Sequence, residues 1–497
     1  MKWANFLHIY QPRDQRPDIL EAIVVQSYRP IISHLFNTPN VHLTLNITGT
    51  LLELLDKNGY HDIIDMLRAL GEDGRVEFTG SAKYHALLPL VGDDDMIRQI
   101  KINNDTNSFY LGKGYKPRGF FPPEMGYRRN IVPIIESLGF EWIILDEIAL
   151  NGKPDSVDYT KLYKIKDSKL KVFFRERRLS NLIMSAIVRS PETLREAMKD
   201  DLSSPRYVVT AMDGETFGHH RPGLEKLLFD IFTTKDFNLV TVSDLLQGGY
   251  DMVEIEPIAS TWASSKADID RNVQFLSWKD PENPIHAWQW SLFNLVKECG
   301  KSISPTHPIF NEILHRIDIS TASDHFWWAS AKPWWSLEMI EDGAYRLLET
   351  LRMMPDISKK TLDEASELYE KIISTAFNWQ RTGKIRHMMS EQGNMIRIPF
   401  KERTIGKGGS EQGIYYAFID MMKGLEKKAS NIGEYEKAIL WRDAIFKLEN
   451  KLDIYDTINA IDLLRIEIPY EEVEKTLDKY TEPYKKIRGG QPEQRGS

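Results

Sequence analysis

The 497-residue chain has a formal charge of −8, with 42% hydrophobic and 27% charged residues. This is the balance of a globular protein whose acidic surplus argues against nucleic acid or an anionic membrane as the main partner. The length exceeds a usual single domain, and the lone cysteine, Cys299, excludes an intramolecular disulfide and a cysteine-rich metal site.

The opening MKWANFLHIYQPRDQ has too short an apolar run for a signal peptide, and no stretch approaches the about 20 apolar residues of a membrane span. With the single cysteine, this gives the expectation of an unexported, cytoplasmic protein. From residue 1 to about 245, strand-like runs alternate with helix-like ones, the pattern of βα units around a parallel sheet. The runs are KWANFLHIY, VHLTLNITG, RVEFTG, RGFFPPE, EWIILDE, LKVFFRER, RYVVTAMDGE and NLVTVSDLL. Between them, segments 17–36, 50–71, 93–112, 128–138 and 190–201 have apolar residues near helical spacing, the last opened by Ser190-Pro191-Glu192.

Nearly every strand-like run ends in polar groups: His8, Asn46, Thr48, Glu77, Thr79, Glu124, Asp146, Glu147, Arg175, Arg177, Asp213 and Glu215. A parallel β/α barrel collects the carboxyl ends of its strands on one rim, so these endings predict a barrel with an acidic cleft rather than an open sheet. A glycine-rich phosphate loop follows none of the runs, which removes the main support for nucleotide binding. Residues 250–320 read as an irregular, Trp-rich extension of a catalytic unit spanning 1–320. Residues 321–485 read as a C-terminal helical domain that completes the cleft, with periodic stretches at 336–353, 360–381, 411–428, 433–452 and 454–465, and 486–497 read as a polar tail.

Glu124 follows two prolines and precedes Met125-Gly126, so its backbone is stiff on one side and permissive on the other. Such a fixed carboxylate suits a nucleophile. Asp213, in AMDGETFG, stands before a glycine that allows a tight turn at the strand end. Two carboxylates on neighbouring strand ends can divide glycoside cleavage, one attacking the anomeric carbon and the other protonating the leaving oxygen, about 5–5.5 Å apart when configuration is retained. The bland alternative for each is a helix cap or an arginine pair. His8, His85, His219 and His220 could bind a metal, but the chain has no H-x-x-x-H or H-E-x-x-H. Hydrogen bonding to sugar hydroxyls is the better use for them. Asp324 in TASDHFWWASAKPWW, beside Trp327, Trp328, Trp334 and Trp335, reads as a sugar-subsite wall or as a packing joint, and Trp262 is of the same kind. Arg175 to Arg178 could position the carboxylates or bind acidic substrates, with a solvated, salt-bridged strand end as the ordinary explanation.

Taken together, these segments resemble glycoside hydrolase family 57 from residue 3 to about 350. The family's His-x-His-Gln-Pro region appears as His8-Ile9-Tyr10-Gln11-Pro12, its second region as Glu77 through His85, its third as Phe121-Pro122-Pro123-Glu124, its fourth as Asp213-Gly214-Glu215, and its fifth as the Asp324 segment. The resemblance implies an α/β fold, an incomplete (β/α)7 barrel followed by a C-terminal helical domain. It also implies a retaining mechanism on α-glucans without an essential metal or cofactor, with Glu124 as nucleophile and Asp213 as general acid/base. His8, Gln11, Glu77, His85, Glu215, His219, Trp262, Asp324, Trp327 and Trp328 are then expected around the substrate. The chief departure is Tyr10 in place of the second histidine, which presents a different hydrogen-bonding edge. An amylase-type hydrolase leads. A 4-α-glucanotransferase or branching enzyme, a non-catalytic carbohydrate-binding protein and, last, a metal-dependent deacetylase are the alternatives.

Overall fold

In the computed structural model the described residues are 1–184, 188, 190–332, 334–393, 411–450 and 468. The periodic stretch 454–465 and the tail 486–497 lie outside them.

Strands β1 (Lys2–Ile9), β2 (Leu43–Ile47), β3 (Val76–Phe78), β4 (Gly119–Phe120), β5 (Trp142–Asp146), β6 (Lys161–Ile165), β7 (Lys171–Arg175), β8 (Tyr207–Asp213), β9 (Leu239–Val240) and β10 (Asp251–Ile255) form two sheets. One runs β3-β2-β1-β8, all parallel, with β9 also pairing on β1. The other runs β10-β6-β7-β5-β4 and is parallel except between β6 and β7.

The sheets are tied at two edges. Gly80 bridges Phe120 in parallel, with Gly80 N–H donating to Gly119 O over 2.9 Å. On the other side Glu176 N–H donates to Val209 O over 2.8 Å, and Arg175 Nε donates to Ala211 O over 2.8 Å. Alternation along β1 explains the layering: Trp3, Leu7 and Ile9 join the apolar cluster beneath the outer helices, whereas Ala4 and Phe6 join the cluster on the opposite face, and His8 follows them on that face.

All eight strand-like runs contain strands, though NLVTVSDLL yields only Leu239–Val240. The reading missed β6 and β10. KLYKI and DMVEI have no continuous apolar run; their register sets Lys161 opposite Asp251 and Lys164 opposite Glu254, which meet at 2.7 Å and 2.6 Å, while Leu162 and Ile165 of β6 are buried. A second difference concerns 250–320, expected to be irregular. It contains the helices Pro284–Lys301 and Phe310–Ser320. Asn283 caps the first, its side-chain oxygen accepting from Ile285 N over 3.0 Å. That helix packs on Leu337–Met353 and Lys359–Thr382, so the helical layer begins at Pro284 rather than near 321. The helices Glu411–Asn431 and Tyr435–Asn450 pack against each other.

Candidate active site

The parallel register sets three strand ends level. His8 on β1 is the partner of Asn46 on β2 and of Asp213 on β8. His8 Nδ1 meets Asn46 Oδ1 at 2.8 Å, and Asn46 Nδ2 donates to Thr79 Oγ1 over 3.0 Å, so the row is internally bonded. Burial holds His8 down to about 4, hence neutral. The ring stacks between Phe121, at 4.6 Å, and His85, at 5.1 Å.

Glu124 enters from the loop after β4. It takes φ 61° and ψ 15°, and Met125 follows at φ 49°, a left-handed pair of non-glycine residues costing on the order of 1–3 kcal/mol each. The loop is held by a two-way backbone pairing of Tyr127 with Ser260 (2.8 and 3.2 Å) and by Trp262 N–H donating to Glu124 O over 3.1 Å. The indole Nε1–H of Trp262 donates to Glu124 Oε2 over 2.7 Å. His85, itself at φ 55°, has Nδ1 3.9 Å from Glu124 Oε1 and 3.2 Å from Ser323 Oγ.

Asp213 ends β8. Gly214 follows because a Cβ there would come within 2.5 Å of Ile9 Cγ2 on the neighbouring strand end. Glu215 then turns inward. Its Oε1 accepts from Gln11 Nε2 over 3.0 Å and from the hydroxyl of Tyr28, which also bonds Gln11. Tyr28 closes a π-turn, Val24–Tyr28, whose Ser27 hydroxyl donates to Gly214 O over 3.0 Å.

The helical region supplies the remaining wall. Ala322 bridges Ala86, and Asp324 starts a short helical turn, Asp324–Trp327. Asp324 Oδ2 accepts from Tyr10 OH over 2.7 Å, and the Tyr10 ring lies 4.3 Å from His85 at an interplanar angle of 12°. Trp327, Trp328 and Trp334 form a half-buried cluster on the same segment, Trp327 and Trp334 stacked at 4.5 Å.

These four carboxylates are short of cations. Burial, and then the charge of Asp213, push Glu124 up to about 8, against the Trp262 donor that favours the ionised form. Burial lifts Asp213 to about 6, opposed by Arg175, and Asp324 to about 6, opposed by Tyr10. Burial and Asp213 raise Glu215 to about 8. Among the described residues no group of three or more His, Cys, Asp or Glu could hold a metal ion.

The cluster therefore gathers His8, Gln11, His85, Glu124, Asp213, Glu215, Trp262 and Asp324. Glu77 is not brought to it. It lies one inward position lower on β3, where Oε2 accepts from Thr44 Oγ1 and Ser243 N, both at 3.1 Å. Two residues later Thr79 reaches the His8 row instead. His219 turns to Gln26, Nδ1 to Oε1 at 2.7 Å, and Trp327 and Trp328 lie on the same helical turn as Asp324, their N–H groups donating to Ser323 O over 3.1 Å and Asp324 O over 2.9 Å. Tyr28 was missed: a tyrosine within an amphipathic helical segment carries no signal. Tyr10 was visible only as a departure from a pattern.

A model of Glycosyl hydrolase family 57 matches residues 5–256. Alpha-amylase 1 of Dictyoglomus thermophilum is 26% identical over 250 residues, covering 48% of this chain and 36% of that protein. The 4-alpha-glucanotransferase of Thermococcus litoralis is 25% identical over 263 residues, covering 50% of this chain and 39% of that protein. The match thus spans little more than a third of the length of these relatives. The crystal structure of a GH57-type branching enzyme from Pyrococcus horikoshii superposes with a TM-score of 0.57 at 18% identity, over 76% of this chain and 96% of that one. This likeness bears on the fold: α/β with a helical C-terminal region.

Proposed function

The chain belongs to glycosyl hydrolase family 57, and we propose that it cleaves α-1,4-linked glucans with retention, Glu124 attacking and Asp213 serving as acid and then base. The observation that carries this reading is that Glu124, oriented by the Trp262 indole, and Asp213 share one part-buried cluster in which the charge of Asp213 helps lift Glu124.

In the free site Glu124 is the weaker acid of the two, which is the reverse of the order the chemistry needs. Part of that lift is conditional. It comes from the charge on Asp213 and vanishes when Asp213 is protonated. One proton shared by the pair has two placements, and a glycosidic oxygen accepting from Asp213 selects the productive one, leaving Glu124 ionised beneath the Trp262 donor. Attack then forms the glycosyl-enzyme and breaks the bond to the leaving oxygen, which takes the Asp213 proton. Asp213, now a base, activates the acceptor that releases the sugar. Gln11, Glu215, His8, His85 and Asp324 are the groups proposed to hold hydroxyls.

A second reading makes the acceptor a sugar, giving a 4-α-glucanotransferase or branching enzyme. The half-buried Trp327, Trp328 and Trp334 beside Asp324 favour it, because such faces suit stacking of an acceptor ring. Incubation with maltoheptaose, alongside Glu124→Gln, separates the readings: only shorter products mean hydrolysis, longer ones mean transfer, and none points to another α-linked sugar or to binding without turnover.

The two sheets, tied through Gly80–Phe120 and Glu176–Val209, support a (β/α)7 ring in the order β8-β1-β2-β3-β4-β5-β7, with β6 and β10 outside it. A cytoplasmic location remains part of this proposal, on the single cysteine alone. Among the described residues no helix is long and apolar enough to cross a membrane.

A further inference from the structure

Asp146, at the end of β5, has its side chain wholly out of solvent, and two arginines converge on it: Arg175 Nη1 at 3.0 Å and Arg177 Nε at 3.1 Å, with side chains only 4% and 17% exposed. The two lead to opposite halves of the site. Arg175 Nε donates to Ala211 O, two residues before Asp213. Arg177 Nη2 donates to the carbonyl oxygens of both Trp262 and Ser264, each over 2.9 Å.

The loop that Arg177 grips is otherwise closed largely on itself. Thr261 N–H donates to Ser264 Oγ over 2.8 Å, Ala263 N–H to Thr261 Oγ1 over 3.2 Å and Ser264 N–H to Thr261 O over 3.1 Å. Its ties toward the rim are the Tyr127–Ser260 pairing and the Trp262–Glu124 backbone bond, on the Glu124 side, and the Arg177 fork, on the β7 side. The guanidinium meets the carboxylate through Nε and the two carbonyls through Nη2, a spread that the single nitrogen of a lysine does not offer.

We propose that Arg177, braced by Asp146, is a positioning residue: by clamping the 261–264 turn it aims the Trp262 indole N–H at Glu124 and so keeps the attacking carboxylate oriented, without itself touching the sugar. This rests on Glu124 being the nucleophile for its catalytic consequence, but the clamp itself does not depend on the substrate. The groups facing Glu124 are Asp213, Asp324, the Tyr10 phenol and the His85 imidazole. Asp213 and Asp324 work against its ionisation and Trp262 works for it.

The test compares Arg177→Met, Arg177→Lys, Trp262→Phe and the Arg177→Met/Trp262→Phe double variant in the full chain. With indole nitrogens labelled with 15N, the Trp262 Nε1–H signal is the one missing in Trp262→Phe. In the unmutated protein it should follow the titration of Glu124. In Arg177→Met it should move to the position of an unbonded indole and lose that pH dependence, and Arg177→Lys should fall between. In kinetics, losing the donor raises the pKa of Glu124, the higher of the pair, so the alkaline limb of kcat/KM should move up by about one pH unit. The double variant should shift no further than Trp262→Phe. An unaltered indole signal and limb in Arg177→Met, with only Tm lowered, would overturn the proposal, as would additive shifts in the double variant. Should Arg177→Met not fold, Arg177→Lys gives the same readings at smaller amplitude. If the unmutated protein turns over no α-glucan, the proposed activity fails while the indole signal still decides the clamp.

Discussion

The indole of Trp262 donates to Oε2 of Glu124 over 2.7 Å, across 138 positions of chain. A carboxylate pinned through one oxygen leaves the other, Oε1, 3.9 Å from His85 Nδ1 and free to attack. Glutamine keeps an oxygen that can accept from Trp262, so Glu124→Gln should preserve the shape of the site. Turnover of maltoheptaose should fall by roughly four orders of magnitude or more, while affinity measured calorimetrically changes only a few-fold. Near-normal turnover would sink the nucleophile assignment.

Glu124 is lifted to about 8 and Asp213 to about 6, so the pair carries a single proton between those values. The profile of kcat/KM should peak in that window, falling about tenfold per pH unit once both groups are protonated or both ionised. Asp213→Asn removes the charge that helps lift Glu124, so the residual activity should lose its alkaline limb and rise with a single ionisation, that of Glu124, below pH 8. A single ionisation still at 8 or above would mean that the two carboxylates do not face each other.

Glu215 is buried and held up to about 8, above its ordinary value. Between the unfolded and folded values the native state binds more protons than the unfolded chain. Its contribution is therefore fully present below about pH 4 and is lost as pH rises toward 8. Glu215→Gln should flatten the decline of Tm between pH 5 and 8, a difference on the order of a few kcal/mol. An unchanged slope of Tm against pH would show that Glu215 ionises freely.

Tyr10 bonds Asp324 through its hydroxyl and stacks on His85 through its ring. Tyr10→Phe keeps the stack and removes the bond, so stability should change by about 1 kcal/mol. Asp324 loses the donor that restrains its lift. The KM for maltooligosaccharides should rise about fivefold, kcat changing less, if Asp324 holds a sugar hydroxyl. Equal KM values would remove Asp324 from the subsite.

The tie between the two sheets can be tested at Gly119. A Cβ there would stand 2.0 Å from the Trp142 ring, whose Nε1–H donates to Ser243 Oγ over 2.9 Å. Gly119→Ala should displace that ring and cost about 1–3 kcal/mol, read as a lower midpoint in urea. A midpoint within error of the parent would mean that the ring moves without cost.

Much of this architecture can be read from the chain. Strand runs such as EWIILDE and RYVVTAMDGE announce themselves because a buried parallel strand needs a continuous apolar stretch, and the catalytic candidates follow such runs because turns begin there. β6 and β10 escaped because neither has a continuous apolar run: β6 buries Leu162, Tyr163 and Ile165 between lysines, and β10 is largely exposed. The helix Pro284–Lys301 escaped because the Trp- and Pro-rich text before it suggested irregular backbone, although Asn283-Pro284 is an ordinary start signal.

Local pattern along the chain tells which carboxylates follow strands, that Glu124 sits on a constrained backbone, and that a Trp-rich helical region follows the βα units. Which of those groups share a site depends on how the strands pack together. Register put His8, Asn46 and Asp213 level, sent Glu77 one layer below them in favour of Thr79, and carried Tyr28 onto Glu215 and Arg177 onto the Trp262 turn. Side-chain direction along a strand is local and has a period of two, so it is written in the sequence. The level at which one strand meets the next is set by packing between residues far apart in the chain, and no local pattern records it.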